Sequence, residues 1–282
     1  MNLSSAVTAD DIIVTKLCPT IGAEIGGIDL RAQLSPAMQK RIRALLVEHK
    51  VLFFRDQTID REHQLAFATK FGPVEAYDSG LNVTGYREIV RIESGSGIPK
   101  IPTNTWHTDA SFMARPSMGA VLRAIEIPEV GGDTLFADMA AAYDGLPEAI
   151  KKDIDGLVAI HDGRKTPEEK EYDAEWYESH TSKFPSAEHP VVMIHSESGR
   201  KILYVNSRYT TAIKGLPKRD GDELLAYLCS KAAIPEYQVR FKWRIGSIAF
   251  WDNRSTQHYA SADYGNAVRR MERIGIAERA DQ

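Results

Sequence analysis

A chain of 282 residues with 43% apolar content can bury a sizeable core, and a single domain over residues 1–282 accounts for it. A formal charge of −4 without any long run of Lys or Arg excludes a nucleic-acid surface and a membrane-binding patch, and points to small-molecule chemistry. Cys18 and Cys229 lie far apart outside any CxxC pattern, which excludes a disulfide framework and a thiolate metal site.

The chain opens with "MNLSSAVTADDIIVTKL", acidic and lacking a long apolar stretch, so it reads as neither signal peptide nor anchor. No segment reaches the length of a transmembrane helix, and a reducing, cytoplasmic home is expected. Residues 12 to 30 mix β-branched residues with glycines and predict two short strands joined by a turn. "SPAMQKRIRALLVEHK" predicts a helix with Ser35 as N-cap, Pro36 at its first position and Met38, Ile42, Leu45 and Leu46 on one face. His49 reads as a charge at its C-terminal end.

"VLFF", residues 51 to 54, has the composition of a buried strand, and "DREHQLAFATKFG" follows as an amphipathic helix closed by Gly72, with His63 solvated. Residues 77–105 are rich in Gly, Ser, Pro and Asn and read as an active-site loop. Beyond it, "GAVLRAIEI", "DTLFAD", "VVMIHS", "KILYVN", "YQVRFKW" and "SIAFWDN" are strand-like runs, interrupted by helical material at "AAAYDGLPEAIKKDI" and "KRDGDELLAYLCSKAA". The charged, aromatic, weakly periodic segment 163–188 reads as a second active-site loop. The fold class is mainly β with flanking helices.

Within "NTWHTDASF", His107 and Asp109 stand two positions apart, and His258 follows the strand "GSIAFWDN". Two histidines and one carboxylate on one face of an iron leave three coordination positions open, as non-haem Fe(II) oxygenases require. Spacing alone does not choose among eight histidines. Nor does the His-x-Asp pair, which is common by chance.

The flanking segments narrow the choice. "GAEIGGIDL", "VLFFRDQ", "FATKFGP", "WHTDASF", "GGDTLFADMAAAYDGLP", "HPVVMIHSESGRKILYVN" and "WDNRSTQHYASADY" occur in the order found in the taurine dioxygenase family of Fe(II)- and 2-oxoglutarate-dependent oxygenases. The chain resembles that family over nearly its whole length. The resemblance implies a double-stranded β-helix, a jelly-roll barrel with iron at its mouth. It assigns His107, Asp109 and His258 as iron ligands, and Thr134 with Arg269 as the pair holding the far carboxylate of 2-oxoglutarate. A dianionic cosubstrate suits a fixed guanidinium with a hydroxyl donor beside it.

By the same resemblance the reaction consumes 2-oxoglutarate and O2, releases succinate and CO2, and hydroxylates a small organic substrate. Arg273 matches an arginine that faces the substrate anion, and Tyr209 an aromatic residue of the same pocket. Tyr77 stands where the family has a taurine-binding histidine, and a pocket phenylalanine falls near Pro167. These departures argue against taurine and for an anion of different shape: another sulfonate, a sulfate ester or a carboxylate. His189 and His195 read as structural, and Trp106 and Trp251 as packing around the barrel mouth.

Two other classes compete. Zinc accepts the same His/Asp/His set with an open water position, giving a zinc-dependent hydrolase. A catalytically silent jelly-roll binding protein would be expected to have lost a ligand or the Arg269 and Thr134 pair, and all five are present. Self-association is common in the family, so a homo-oligomer is compatible with the resemblance.

Overall fold

The computed structural model describes residues 11–76, 81–95, 103–165 and 184–279, together with positions 175, 178, 179 and 182. The first elements are β1 (Ile13–Lys16), β2 (Ala23–Gly26), α1 (Pro36–His49), β3 (Val51–Phe54) and α2 (Arg61–Ala68). Next come β4 (Asn82–Val83), β5 (Tyr86–Ser94), β6 (Gly119–Glu126), β7 (Thr134–Asp138), α3 (Met139–Asp144), α4 (Glu148–Asp153) and β8 (Val158–Asp162). β9 (Ser186–Pro190), β10 (Val192–Ile194), β11 (Lys201–Leu203), β12 (Thr210–Ile213) and the helix Lys218–Cys229 lead into the last strands. These are β13 (Gln238–Phe241), β14 (Ile248–Asp252), β15 (Thr256–Ala260) and β16 (Arg269–Ile276).

Eight strands form the large sheet in the order β1-β2-β3-β14-β6-β16-β5-β4, and β13-β7-β15 form a smaller one. β12-β8-β9 and β10-β11 make two further sheets, so the described strands are not hydrogen-bonded into one closed barrel. Val51, Phe53, Ala120, Leu122, Ala249, Trp251 and Met271 of the large sheet pack with Phe136, Val239 and Phe241 of the small one. The alternate residues Leu52, Phe54, Val121, Phe250 and Ile274 bury the opposite face under α1 and α2. "VLFF" is therefore continuously apolar because both faces of β3 are covered.

Local chemistry fixes the helices. Ser35 accepts a hydrogen bond from the Met38 N–H at 3.2 Å, and Pro36 occupies the first turn, as expected of a capped start. Asp60 caps α2 by accepting from the His63 N–H at 2.9 Å, and His63 lies against the same carboxylate.

Several expectations are corrected. His49 is buried, and burial lowers its pKa, so it does not supply the expected helix-end charge. Gly72 does not close α2, whose C-cap is Thr69; a Cβ on Gly72 would lie 2.4 Å from the Ala277 carbonyl oxygen, and close backbone approach explains the glycine. Residues 77–105 are not one loop: they contain β4 and β5, a nine-residue strand paired with β16. The alternation of "YREIVRIES" was masked by the Gly- and Ser-rich flanks. The expected loop 163–188 ends inside β9, which pairs with β8.

Candidate active site

The candidate metal ligands come from two segments sewn together. His107 and His258 face each other in an isolated antiparallel bridge, exchanging N–H to C=O bonds of 3.1 and 2.8 Å. Thr108 donates its hydroxyl to the Thr256 carbonyl at 2.9 Å. Asn253 then clamps Asp109: its Oδ1 accepts the Asp109 N–H at 3.0 Å, and its Nδ2 donates to the carbonyls of Asp109 at 2.8 Å and Ser117 at 3.1 Å. His107 and Thr108 are thus pinned to β15, and Asp109 to the turn joining β14 and β15. The chain leaves through Ala110 at φ 53°, a left-handed conformation uncommon for alanine.

The side chains converge. One candidate ligand atom from each of His107, Asp109 and His258 lies within 4.8 Å of the others, the one such trio among the described residues. Asp109 Oδ1 is 3.8 Å from His107 Nε2 and 3.9 Å from His258 Nε2, too long for hydrogen bonds and right for groups sharing an ion. His107 Nδ1 lies 2.7 Å from the Thr105 carbonyl, so the ring donates there and leaves Nε2 free on the side of Asp109.

Electrostatics agree with ligation. Burial lowers the pKa of His107 and takes His258 to about 3, with each histidine's neighbours adjusting the value, so both imidazoles are neutral donors at neutral pH. Burial also works against the Asp109 charge, but Arg273, then His258 and His107, outweigh it and hold the carboxyl at about 2. Two neutral nitrogens and one carboxylate fit a divalent iron with open positions.

Beside this trio lies a buried guanidinium. β16 alternates, so Arg269, Met271 and Arg273 share the face turned to the small sheet, while Glu272 points the other way to Arg61 and Arg123. Arg269 is only 4% exposed. Its Nε donates to the Gly132 carbonyl at 3.0 Å and its Nη2 to the Thr134 hydroxyl at 3.3 Å. Among the described residues no carboxylate forms an ion pair with it, and burial lowers its pKa from the usual guanidinium value. Gly132, at φ 70°, leaves room for this side chain: a Cβ there would stand 3.2 Å from Arg269 Cδ. A buried cation with neutral partners calls for an anion.

Arg273 is placed differently. Its Nη1 lies 2.5 Å from Asp109 Oδ2, an ion pair of close approach rather than an aligned hydrogen bond, and its buried Nε meets no acceptor among the described residues. Tyr209 stands edge-on to His107 with ring centroids 6.2 Å apart, and to Phe112 at 5.0 Å. Phe112 in turn stacks on Phe184 at 5.0 Å. Tyr77 and Pro167 lie outside the described residues.

Three further histidines and two tryptophans have structural surroundings. His195 Nε2 contacts Asp252 Oδ2 at 2.9 Å, His189 Nε2 contacts the Met113 carbonyl at 3.0 Å, and His161 is fully buried on β8 against Ser111. Trp106 packs on Tyr259, and Trp251 on Phe136 and His258. Sequence reasoning passed over Asn253, Trp243, Phe112 and Arg208. Trp243 donates its indole N–H to the Thr134 hydroxyl at 2.9 Å. Arg208 is buried beside Tyr209, and its charge contributes to the lowered pKa of His107. Asn253 sits in the quoted "WDNRSTQH", but only its contacts to a segment far away in sequence reveal its part.

A mainly β fold carrying a His/Asp/His trio next to a buried arginine has the donor set that a metal-dependent oxygenase would need. A profile of the family described as "Taurine catabolism dioxygenase TauD, TfdA family" matches residues 13–274, and the chain belongs to that family. It is a 2-oxoglutarate-dependent dioxygenase. The chain is 36% identical over 282 residues to an alpha-ketoglutarate-dependent sulfate ester dioxygenase of Pseudomonas putida, covering 98% of this chain and 92% of the relative. It is 32% identical over 263 residues to an alpha-ketoglutarate-dependent 2,4-dichlorophenoxyacetate dioxygenase of Cupriavidus pinatubonensis, covering 88% and 91%. A crystal structure of a taurine dioxygenase from Burkholderia xenovorans superimposes with a TM-score of 0.82 at 34% identity, covering 95% of this chain and 90% of that one. The comparisons give the zinc hydrolase alternative no support. No helix of the described residues is long and apolar enough to cross a membrane.

Proposed function

We propose that this dioxygenase binds Fe(II) through His107, Asp109 and His258, holds 2-oxoglutarate by Arg269 and Thr134, and hydroxylates a small anionic organic substrate met by Arg273 and Tyr209. The observation that carries the reading is Arg269, a buried guanidinium with a carbonyl and a hydroxyl for partners, on the same strand face as an arginine touching the metal trio. When bound, iron supplies the chemistry that couples O2 to decarboxylation of the keto acid. The chain's own part is geometric. Asn253 and the His107–His258 bridge hold the ligands in place, and the neutral imidazoles and ionised Asp109 stand ready without proton loss.

For the substrate, the aromatic wall of Phe112, Phe184 and Tyr209 beside Arg273 and Arg208 suits an anion with an apolar body. Sulfate esters and phenoxy acids have that shape, and relatives are named for both. Tyr77 belongs to this pocket on our reading, as the position of the family's taurine-binding histidine. The facing large and small sheets support a jelly-roll core in a single domain over residues 1–282. Both cysteines are free thiols, in keeping with a cytoplasmic home.

The test is anaerobic titration of the Fe(II) protein with 2-oxoglutarate, followed by a screen of sulfate esters, sulfonates and phenoxy acids for succinate formation under O2. A visible charge-transfer band and substrate-stimulated succinate are expected. Full succinate production by His258→Ala would sink the ligand assignment.

A further inference from the structure

We propose that Trp243 is a positioning residue for the cosubstrate: its indole N–H locks the Thr134 hydroxyl so that the single hydroxyl proton is aimed at the far carboxylate of 2-oxoglutarate. The inference rests on the assignment of Thr134 and Arg269 to that carboxylate. An alcohol oxygen has two lone pairs and one proton. At Thr134 both lone pairs are engaged, by Trp243 Nε1 at 2.9 Å and by Arg269 Nη2 at 3.3 Å. Indole and guanidinium can only donate, so neither takes the hydroxyl proton. That proton must leave along the third direction, as a donor to whatever anion Arg269 binds.

The lock depends on a fixed indole. Trp243 is 3% exposed, and its ring meets Phe241 edge-on with centroids 4.9 Å apart. Phe241 is itself held between the Phe53 ring, stacked at 3.9 Å, and the Arg55 guanidinium, 3.9 Å from its centroid. Phe241 also pairs directly with Thr134 across β13 and β7, which places the tryptophan two residues further along beside the hydroxyl. Without the indole donor, a lone pair of Thr134 is free and the hydroxyl gains rotamers in which its proton points away from the cosubstrate. A carboxylate then has to select the donating rotamer on binding.

The experiment is calorimetric titration of the Mn(II)-loaded protein with 2-oxoglutarate, which reads binding without turnover. Trp243→Phe is expected to weaken 2-oxoglutarate about three- to tenfold, the scale of one neutral hydrogen bond, with Mn(II) affinity unchanged. In a Thr134→Val background the same substitution should have almost no effect, because the group it orients is gone. In a Thr134→Ser background the effect should return. An equal loss with and without the hydroxyl, or no loss in the parent, would overturn the proposal. Should Trp243→Phe fail to fold, 3-benzothienylalanine at position 243 keeps the shape, replaces N–H by sulfur and answers the same question. If neither Arg269→Ala nor Thr134→Val weakens 2-oxoglutarate, the cosubstrate assignment itself fails; if they do and the tryptophan variants do not, only the present proposal does.

Discussion

Two positions four residues apart on the inner face of β16 carry the same residue in opposite electrostatic settings. Arg269 is buried among a carbonyl, a hydroxyl and a glycine turn, and no described carboxylate pairs with it. Arg273 is half-buried against the ionised Asp109. Burying a guanidinium without a counter-charge is costly, so Arg269 favours an anion that arrives from solution. Arg273 is already compensated, and an anion reaching it must share the guanidinium with Asp109. Residue type alone therefore does not assign a role; the charge facing it does.

Removing the uncompensated arginine should have the largest effect. Arg269→Ala should weaken 2-oxoglutarate by about 30- to 5,000-fold, the range for truncating one partner of a buried charge pair, while metal affinity stays near that of the parent. Calorimetry with 2-oxoglutarate in the Mn(II) protein reads both. An equal or smaller loss than that of Thr134→Val would show that the charged contact lies elsewhere.

Arg273→Ala should show the inverse profile. Losing a partner that holds a metal ligand should reduce metal affinity or anionic-substrate kcat/KM by about 10- to 100-fold, with 2-oxoglutarate affinity in the metal-saturated protein little changed. A fall in 2-oxoglutarate affinity as deep as that of Arg269→Ala would erase the contrast between the two arginines. A smaller effect is expected at the clamp: Asn253→Ala strands the Asp109 N–H and two carbonyls, and should cost about 1–3 kcal/mol of stability in a denaturant titration. It should also loosen Fe(II), since Asn253 holds both the N–H and the carbonyl of Asp109.

The contrast extends to pH. His161, like Arg269, is buried without an acidic partner; burial first, then His189, takes its pKa down to about 3. The unfolded chain accepts that proton near 6.5 and the folded chain only near 3. This contribution is therefore complete above pH 6.5 and lost as pH falls through the window, at about 1.4 kcal/mol per pH unit. His161→Gln should flatten the acid limb of stability between those values. Asp252 is the compensated counterpart: burial opposes its charge, but His195 and Arg254 hold its carboxyl below the usual range. An unchanged acid limb in His161→Gln would mean that the imidazole takes up its proton in the fold.

The sequence was most legible where function rides on local pattern. The apolar run of β3, the Ser35 cap and the helix face of Met38, Ile42, Leu45 and Leu46 are all readable residue by residue. His107, Asp109 and His258 were identifiable only through their flanking segments, since no spacing rule joins positions so far apart. Asn253 and Trp243 escaped notice because each acts through a tertiary hydrogen bond to a distant segment, and neither carries a chemistry of its own. β5 was hidden because composition over a long window outweighed its short alternation. Gly72 looked like a helix stop, although its reason lies in a backbone met only at the far end of the chain.

The bridge between His107 and His258 also bears on how the protein reaches its fold. The segment between them closes one large loop, and both histidines must arrive before a metal can be chelated, so the unfolded chain has no site to offer. An ion bound across that junction acts as a reversible cross-link at the neck of the loop. At a free metal concentration about 100 times its dissociation constant, it would add roughly 2.7 kcal/mol to global stability. Chelators should therefore lower the melting temperature as well as abolish turnover, and proteolysis of the metal-free protein should become faster as opening at this neck becomes easier.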